Sequence, residues 1–420
     1  MEAAFFVQNR KKLVEQMEPG SLLALFAGKL IHQSADANYP FYANRNFVYM
    51  TGITQPQSVL LVCKKEDGSA SEYLYMLPKN PMAERWNGKR LSREEAAAVS
   101  GVSCVVDLSA WEHHFHAMAV SGFYERIYLD LHRQSPENQD QQGHIFAKML
   151  PQSYPGLQIR NIAPKIHGLR TIKQPCEIDA LRRAEEITKA GILAMMRASR
   201  PGMYEYQYKA EFIHALGQFS PDEPGFQPII SAGQNNFCIH YEAYTGKAED
   251  GDMVLNDVGA RFDHLITDVS RGWPCNGKFT ERQKLLYHCA LATSDYMFSI
   301  IKPGMKMADV DRIIREYNAR QLVNAGVMES VDQVATYMWH GGAHHIGFDV
   351  HDVVQIPEVL APGMVFCVDV GIYHEAWGIG FRLEDNCLVT EDGCENLSAG
   401  IPRTIEQIEA YMKENAHGEE

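Results

Sequence analysis

The chain is 420 residues long, more than one hydrophobic core usually organises, so two domains are expected. Hydrophobic residues make up 45% and charged residues 22%, which supplies material for a real core and excludes a disordered chain. A formal net charge of −14 excludes a protein that works by neutralising phosphates, so neither nucleic acid nor membrane is an expected partner.

The opening MEAAFFVQNRKKLVEQ turns polar too soon for a signal peptide, and no stretch reaches the roughly 18 apolar residues of a membrane span. A cytoplasmic protein is expected. Its nine cysteines are odd in number and form no C-x-x-C, which points to reduced thiols. The runs LLALFAG, NFVYMTG, SVLLVC and SEYLYML read as strands among turns and helical patterns, giving a small α/β domain. His113, His114 and His116 in AWEHHFHAM have no acidic partner pattern and read as a surface helix. The segment IAPKIHGLRTIKQP, with two prolines and little amphipathic pattern, precedes the strongly helical CEIDALRRAEEITKAGILAMMRAS. The fold class is therefore α/β (α+β), divided into residues 1–165 and 166–420.

The second part repeats itself. Arg200-Pro201-Gly202-Met203 before one helix recurs as Lys302-Pro303-Gly304-Met305 before another, and GDMVLNDVGARF from Gly251 matches GMVFCVDVGIYH from Gly363. Two halves with the same order of elements imply an approximate internal two-fold, with a cleft where they meet as the default site.

In MVLNDVGARFDHLITDVSRGW, two strands with a turn centred on Phe262-Asp263 would set Asp257 directly opposite Asp268. In CVDVGIYHEAWGIGFRLED, a turn near Ala376-Trp377 sets Asp369 opposite Glu384, with Gly378 and Gly380 serving the hairpin; no helix with a third glycine follows, which excludes a dinucleotide loop. Carboxylates that close repel unless one keeps a proton or a cation lies between them. Between the hairpins runs HGGAHHIGFDVHD, with four histidines. Two acid pairs and an imidazole make an oxygen-rich site for two divalent ions about 3.5–4 Å apart. Such a site suits Mn2+ and tolerates Co2+, Zn2+ or Fe2+.

Asp257 and Asp268 followed by Ser-Arg, His344 in HGGAHHIG, His351 in DVHD and Glu384 in FRLED together resemble the M24 metallopeptidases, whose fold is the pita-bread. RKKLVEQMEPGSLLALFAG, SADANYPF, NFVYMTGI and ERWNGKRLSREEA are similar to the N-terminal domain of aminopeptidase P, so the resemblance spans nearly the whole chain. It implies hydrolysis of the bond between an N-terminal residue and a following proline. It implies Asp257 on one metal, His344 and Asp369 on the other, and Asp268 and Glu384 bridging. It also sets His240 and His351 beside the substrate, His340, Arg382 and Tyr373 around the centre, and Trp86 reaching an active site, that of a neighbouring subunit included. A homodimer or homotetramer acting on peptides with proline second is the implied assembly.

The chain departs from the family pattern in two places. Asp369 stands where the family usually has glutamate, one methylene longer, and Ser270-Arg271-Gly272 stands where Thr-Arg-Thr is common. Three other readings use the same residues: a prolidase confined to dipeptides, a metal-free relative with creatinase-like chemistry, and a non-catalytic pita-bread module that binds peptides.

Overall fold

The computed structural model describes residues 1–220, 222–355 and 359–415. The acidic tail, expected to fray, falls mostly at 416–420, outside them. The chain divides into two compact units, Met1–Leu169 and Arg170–Glu420.

The first unit is built on a six-stranded sheet. Its strands are β1 (Ser21–Phe26), β4 (Val59–Lys64), β5 (Ala70–Met76), β6 (Val105–Asp107), β7 (Arg126–Leu129) and β8 (Gln158–Asn161), in the order β6-β5-β4-β1-β7-β8. Strands β2 (His32–Ser34) and β3 (Ala37–Asn38) form a small separate ribbon. β1 and β4 bury nearly every residue, because the sheet is covered on both faces. LLALFAG, SVLLVC and SEYLYML thus form strands, but NFVYMTG does not. It is the helix Arg45–Thr51, whose start is fixed by the Asn44 side chain accepting from the Phe47 amide and whose end is fixed by Gly52 in the left-handed conformation. All seven of its residues are buried, so no helical stripe marks it in the sequence. The histidine-rich AWEHHFHAM is a helix, Trp111–Ala119, in which His114 and His116 meet the hydroxyls of Tyr75 and Tyr154.

The second unit carries the repeat in its backbone. Gly202 and Gly304 share the left-handed conformation, φ +87° and +88°, and each donates its amide to the segment ahead of a core strand, at Ala248 and Leu360. Ala248 and Leu360 return amides to Met203 and Met305. Gly251 and Gly363, φ +87° and +86°, then turn the chain into the two core hairpins.

In the first hairpin β10 (Met253–Val258) pairs with β13 (Val269–Pro274), with β9 (Ile229–Ala232) on the other side of β10 and the short β11 (Arg261–Phe262) and β12 (Leu265–Ile266) at the tip. In the second, β14 (Val365–His374) pairs with β15 (Ile379–Val389), which is edged by β16 (Cys394–Asn396). The two hairpins belong to separate three-stranded sheets. The helices Pro175–Ala198, Glu205–Leu216, Glu281–Ile300 and Met307–Asn324 flank them, and together they bury one large apolar cluster that includes Trp273, Phe381 and Tyr287. Among the described residues, no helix is long and apolar enough to cross a membrane.

Candidate metal centre

The second hairpin has the expected register, with Asp369 opposite Glu384. The first does not: Asp257 lies opposite Ser270, and Asp268 sits just before β13. The turn is centred one residue later than expected, on Asp263 and His264, both in the left-handed conformation at φ +47° and +75°. Moving a hairpin's centre by one residue moves each partner by two, which preserves the face. Asp257 and Asp268 are therefore diagonal rather than opposed, and still project to the same side.

That side faces β15. Ligand oxygens of Asp257, Asp268 and Glu384 lie within 4.8 Å of one another, as do ligand atoms of His344, Cys367 and Glu384. His344 Nε2 is 3.4 Å from Asp268 Oδ2 and 3.7 Å from Glu384 Oε1. The loop that carries His344 is tied to β14 much as a strand would be: the Asp369 amide donates to Gly342 and the Cys367 amide to His344. These two bonds fix His344 over the Asp369–Glu384 pair.

Buried acids at this density carry a clear electrostatic signature. Burial, and then the charges of Glu384 and Asp257, raise Asp268 well above the carboxylate range. Burial, then Asp369 and Asp257, do the same to Glu384. Among the described residues, Asp257 Oδ1, Asp268 Oδ1 and Asp369 Oδ1 are buried without a protein donor. Oxygens in that state are destabilising unless protons or cations compensate them.

Further bonds hold these side chains. Arg382 donates to Asp257 Oδ2 at 2.9 Å, to the Tyr373 hydroxyl at 3.1 Å and to the Ile239 carbonyl at 3.2 Å. His340 lies 3.1 Å from Asp369 Oδ2 and 2.9 Å from the Tyr373 hydroxyl. Burial opposes charge on His340, but Asp369 and the Gly341 carbonyl outweigh it and raise its pKa. Trp339 stacks on Tyr373 with ring centres 4.6 Å apart. His351 stacks on His344 at 3.8 Å, and burial followed by the proximity of His344 lowers it to about 4. His240 is exposed, near enough for its charge to act on His351. The fourth histidine of the motif, His345, points elsewhere and is buried against Phe366. Trp86 lies in the first unit, 84% exposed on the short helix Pro81–Asn87.

Two family models match the chain: metallopeptidase family M24 over residues 179–391 and the aminopeptidase P N-terminal domain over residues 6–127. The Xaa-Pro aminopeptidase of Escherichia coli K12 is 31% identical over 97% of each chain. The chain belongs to the M24 metallopeptidases. A solved Bacillus anthracis structure matches this M24 chain with TM-score 0.96 at 36% identity over 99% of both chains. The E. coli aminopeptidase P solved with the inhibitor Pro-Leu matches with TM-score 0.89 at 31% identity over 99% of both.

Within this M24 site the structure adds contacts that sequence reading did not assign. The Cys367 thiol, one rung along β14 from Asp369 on the same face, accepts from the His344 amide and lies beside Glu384. Its place was legible in principle from the two-residue period of a strand. The Ser270 hydroxyl donates to Glu384 Oε2 at 2.8 Å, and the Arg271 guanidinium is buried against Asp385 at 2.6 Å. Asn386 bonds the main chain of Asp268. These contacts join the two hairpins, and no local pattern announces them.

Proposed function

We propose that this chain is a two-metal Xaa-Pro aminopeptidase that hydrolyses the bond between an N-terminal residue and a following proline. The observation that carries the reading is the convergence of carboxylates from both hairpins on the His344 imidazole, with buried oxygens that have no protein donor. Those residues fit a pair of divalent ions: Asp257 would hold one, His344 and Asp369 the other, and Asp268 and Glu384 would serve both. A set of oxygens with one imidazole favours Mn2+ and tolerates Co2+, Zn2+ or Fe2+. When bound, such a pair supplies Lewis acidity and lowers the pKa of water into the neutral range.

The chain's own residues supply the rest. His351, held flat against His344, donates an N–H to the substrate carbonyl oxygen as charge builds on it. His240, exposed at the mouth, holds the peptide. Asp369 Oδ1 takes up the proton released in the attack and returns it to the departing proline nitrogen, while His340 steadies the other oxygen. Arg382 and Tyr373 fix Asp257 and His340 in one network, which leaves Asp257 free to orient the substrate's terminal amine. A proline amide has no N–H, so a site that reads the terminal amine and the carbonyl can act where ordinary backbone pairing fails.

On this reading residues 1–165 are the aminopeptidase P-like domain and residues 166–420 the catalytic one. The protein acts in the cytoplasm as a homodimer or homotetramer, and the exposed Trp86 reaches an active site in that assembly. The test is release of the first residue from a tripeptide with proline second, from an X-Pro dipeptide and from an alanine-second control, each with and without Mn2+. Metal-dependent cleavage of the proline tripeptide alone among the longer peptides is expected. Cleavage confined to the dipeptide would make the protein a prolidase, and no cleavage with any divalent ion would leave a peptide-binding module.

A further inference from the structure

The two carboxylates proposed to serve both ions lie on different hairpins, Asp268 just before β13 and Glu384 on β15, and β13 and β15 belong to separate sheets. No backbone ladder therefore sets the distance between them. Side chains join them: Ser270 and Arg271 reach Glu384, and Asn386 grips the main chain of Asp268. Asn386, on the same strand face as Glu384, turns its amide onto the main chain of Asp268: its Oδ1 accepts the Asp268 amide at 3.0 Å, and its Nδ2 donates to the Asp268 carbonyl. This reproduces, with one side chain, the pair of bonds that a neighbouring strand would make. Only one orientation of the amide satisfies both bonds, since exchanging oxygen and nitrogen would set donor against donor and acceptor against acceptor.

Asn386 is itself held. Its main-chain N–H donates to Ser398 Oγ at 2.9 Å, and the Ser398 hydroxyl donates at 3.1 Å to Glu185 Oε1 on the helix Pro175–Ala198. All four residues are buried. The Asp268 main chain is thus tied, through Asn386 and Ser398 of the other half of the repeat, to the long helix Pro175–Ala198 of its own half. We infer that Asn386 is a positioning residue that sets the spacing of Asp268 and Glu384, and so decides whether the second divalent ion is held; the inference rests on the two-metal reading above.

The test is calorimetric titration of the full-length, metal-stripped chain with Mn2+, together with electron paramagnetic resonance of the loaded protein and thermal unfolding of the metal-free protein. In Asn386→Ala the first ion should bind within about threefold of wild type, whereas the second should bind about 10- to 100-fold more weakly, the usual consequence of removing an outer support of a metal ligand. The exchange-coupled signal of a paired site should give way to that of an isolated Mn2+. Ser398→Ala, which leaves the clamp but frees its base, should move both readouts the same way by less, and it carries the comparison if Asn386→Ala does not fold. Loading of both ions as in wild type would overturn the inference. So would an equal loss at both sites that follows the metal-free melting temperature, because that would make Asn386 merely structural. A wild-type chain that takes up no divalent ion would overturn the two-metal reading, and this inference with it, before any variant is compared.

Discussion

His351 and Asp369 separate cleanly by what they touch. His351 stacks on His344, and its proposed work is to donate to an oxygen that becomes charged only as the bond breaks. His351→Ala should therefore lower kcat by about 100- to 1,000-fold, the range for removing one such donor, with much less change in KM. A loss confined to KM would show that the ring only binds the peptide. Asp369 carries an oxygen with no protein donor, and its other oxygen is held by His340. Asp369→Ala should leave a chain that titrates with one equivalent of Mn2+ instead of two. Unchanged stoichiometry would mean that the shorter side chain at this position is not a ligand at all.

At the scale of strands and turns, Gly371 shows how tightly β14 is matched to the loop above it. A Cβ at this position would overlap the His340 ring. Gly371→Ala should displace His340, break its contacts with Asp369 and Tyr373, and remove most activity while far-ultraviolet circular dichroism stays native; activity within twofold of wild type would argue that the His340 placement is dispensable. The same strand explains what the sequence could disclose. Asp369 and Glu384 were legible as a pair because the hairpin tip at Glu375–Trp377 ends in Gly378, in the left-handed conformation that glycine adopts readily. Asp257 and Asp268 were legible as a converging face but not as a diagonal, because Asp263 and His264 take left-handed angles without a glycine to mark the turn. NFVYMTG was misread for a related reason: a helix buried on every side has no stripe, and its aromatic and β-branched residues imitate a strand. Asn386, Ser270 and Arg271 act across two sheets, and only the packing of the halves brings them to their partners.

Across the whole molecule, stability is tied to acids buried far from water. Burial raises Glu185 to about 8, against an ordinary value of 4.5. The folded chain therefore keeps a proton that the unfolded chain has already lost, and stability falls as pH rises from about 4.5 to about 8. Glu185→Gln removes that dependence, so the difference in stability between variant and wild type should move in the variant's favour from pH 5 to pH 8, by about 1.4 kcal/mol for each unit of pH within the window. Urea midpoints at the two pH values would measure it, and parallel curves would show that the carboxyl is ionised in the fold. Ion binding adds a second global coupling. Ions held by residues that only the fold brings together stabilise the fold, so melting temperature should rise with Mn2+ concentration and fall on chelation, and a melting temperature indifferent to both would count against a centre of this kind. The tether between the ligand loop and β14 turns that coupling into something local. The amides of Cys367 and Asp369 are each bonded to a loop carbonyl, so their hydrogen exchange gauges whether His344 is docked over the acids. In the metal-stripped chain, where no ion ties His344 to the acids, these two amides should exchange faster than those deeper in the same hairpin, and adding the ions should close the gap.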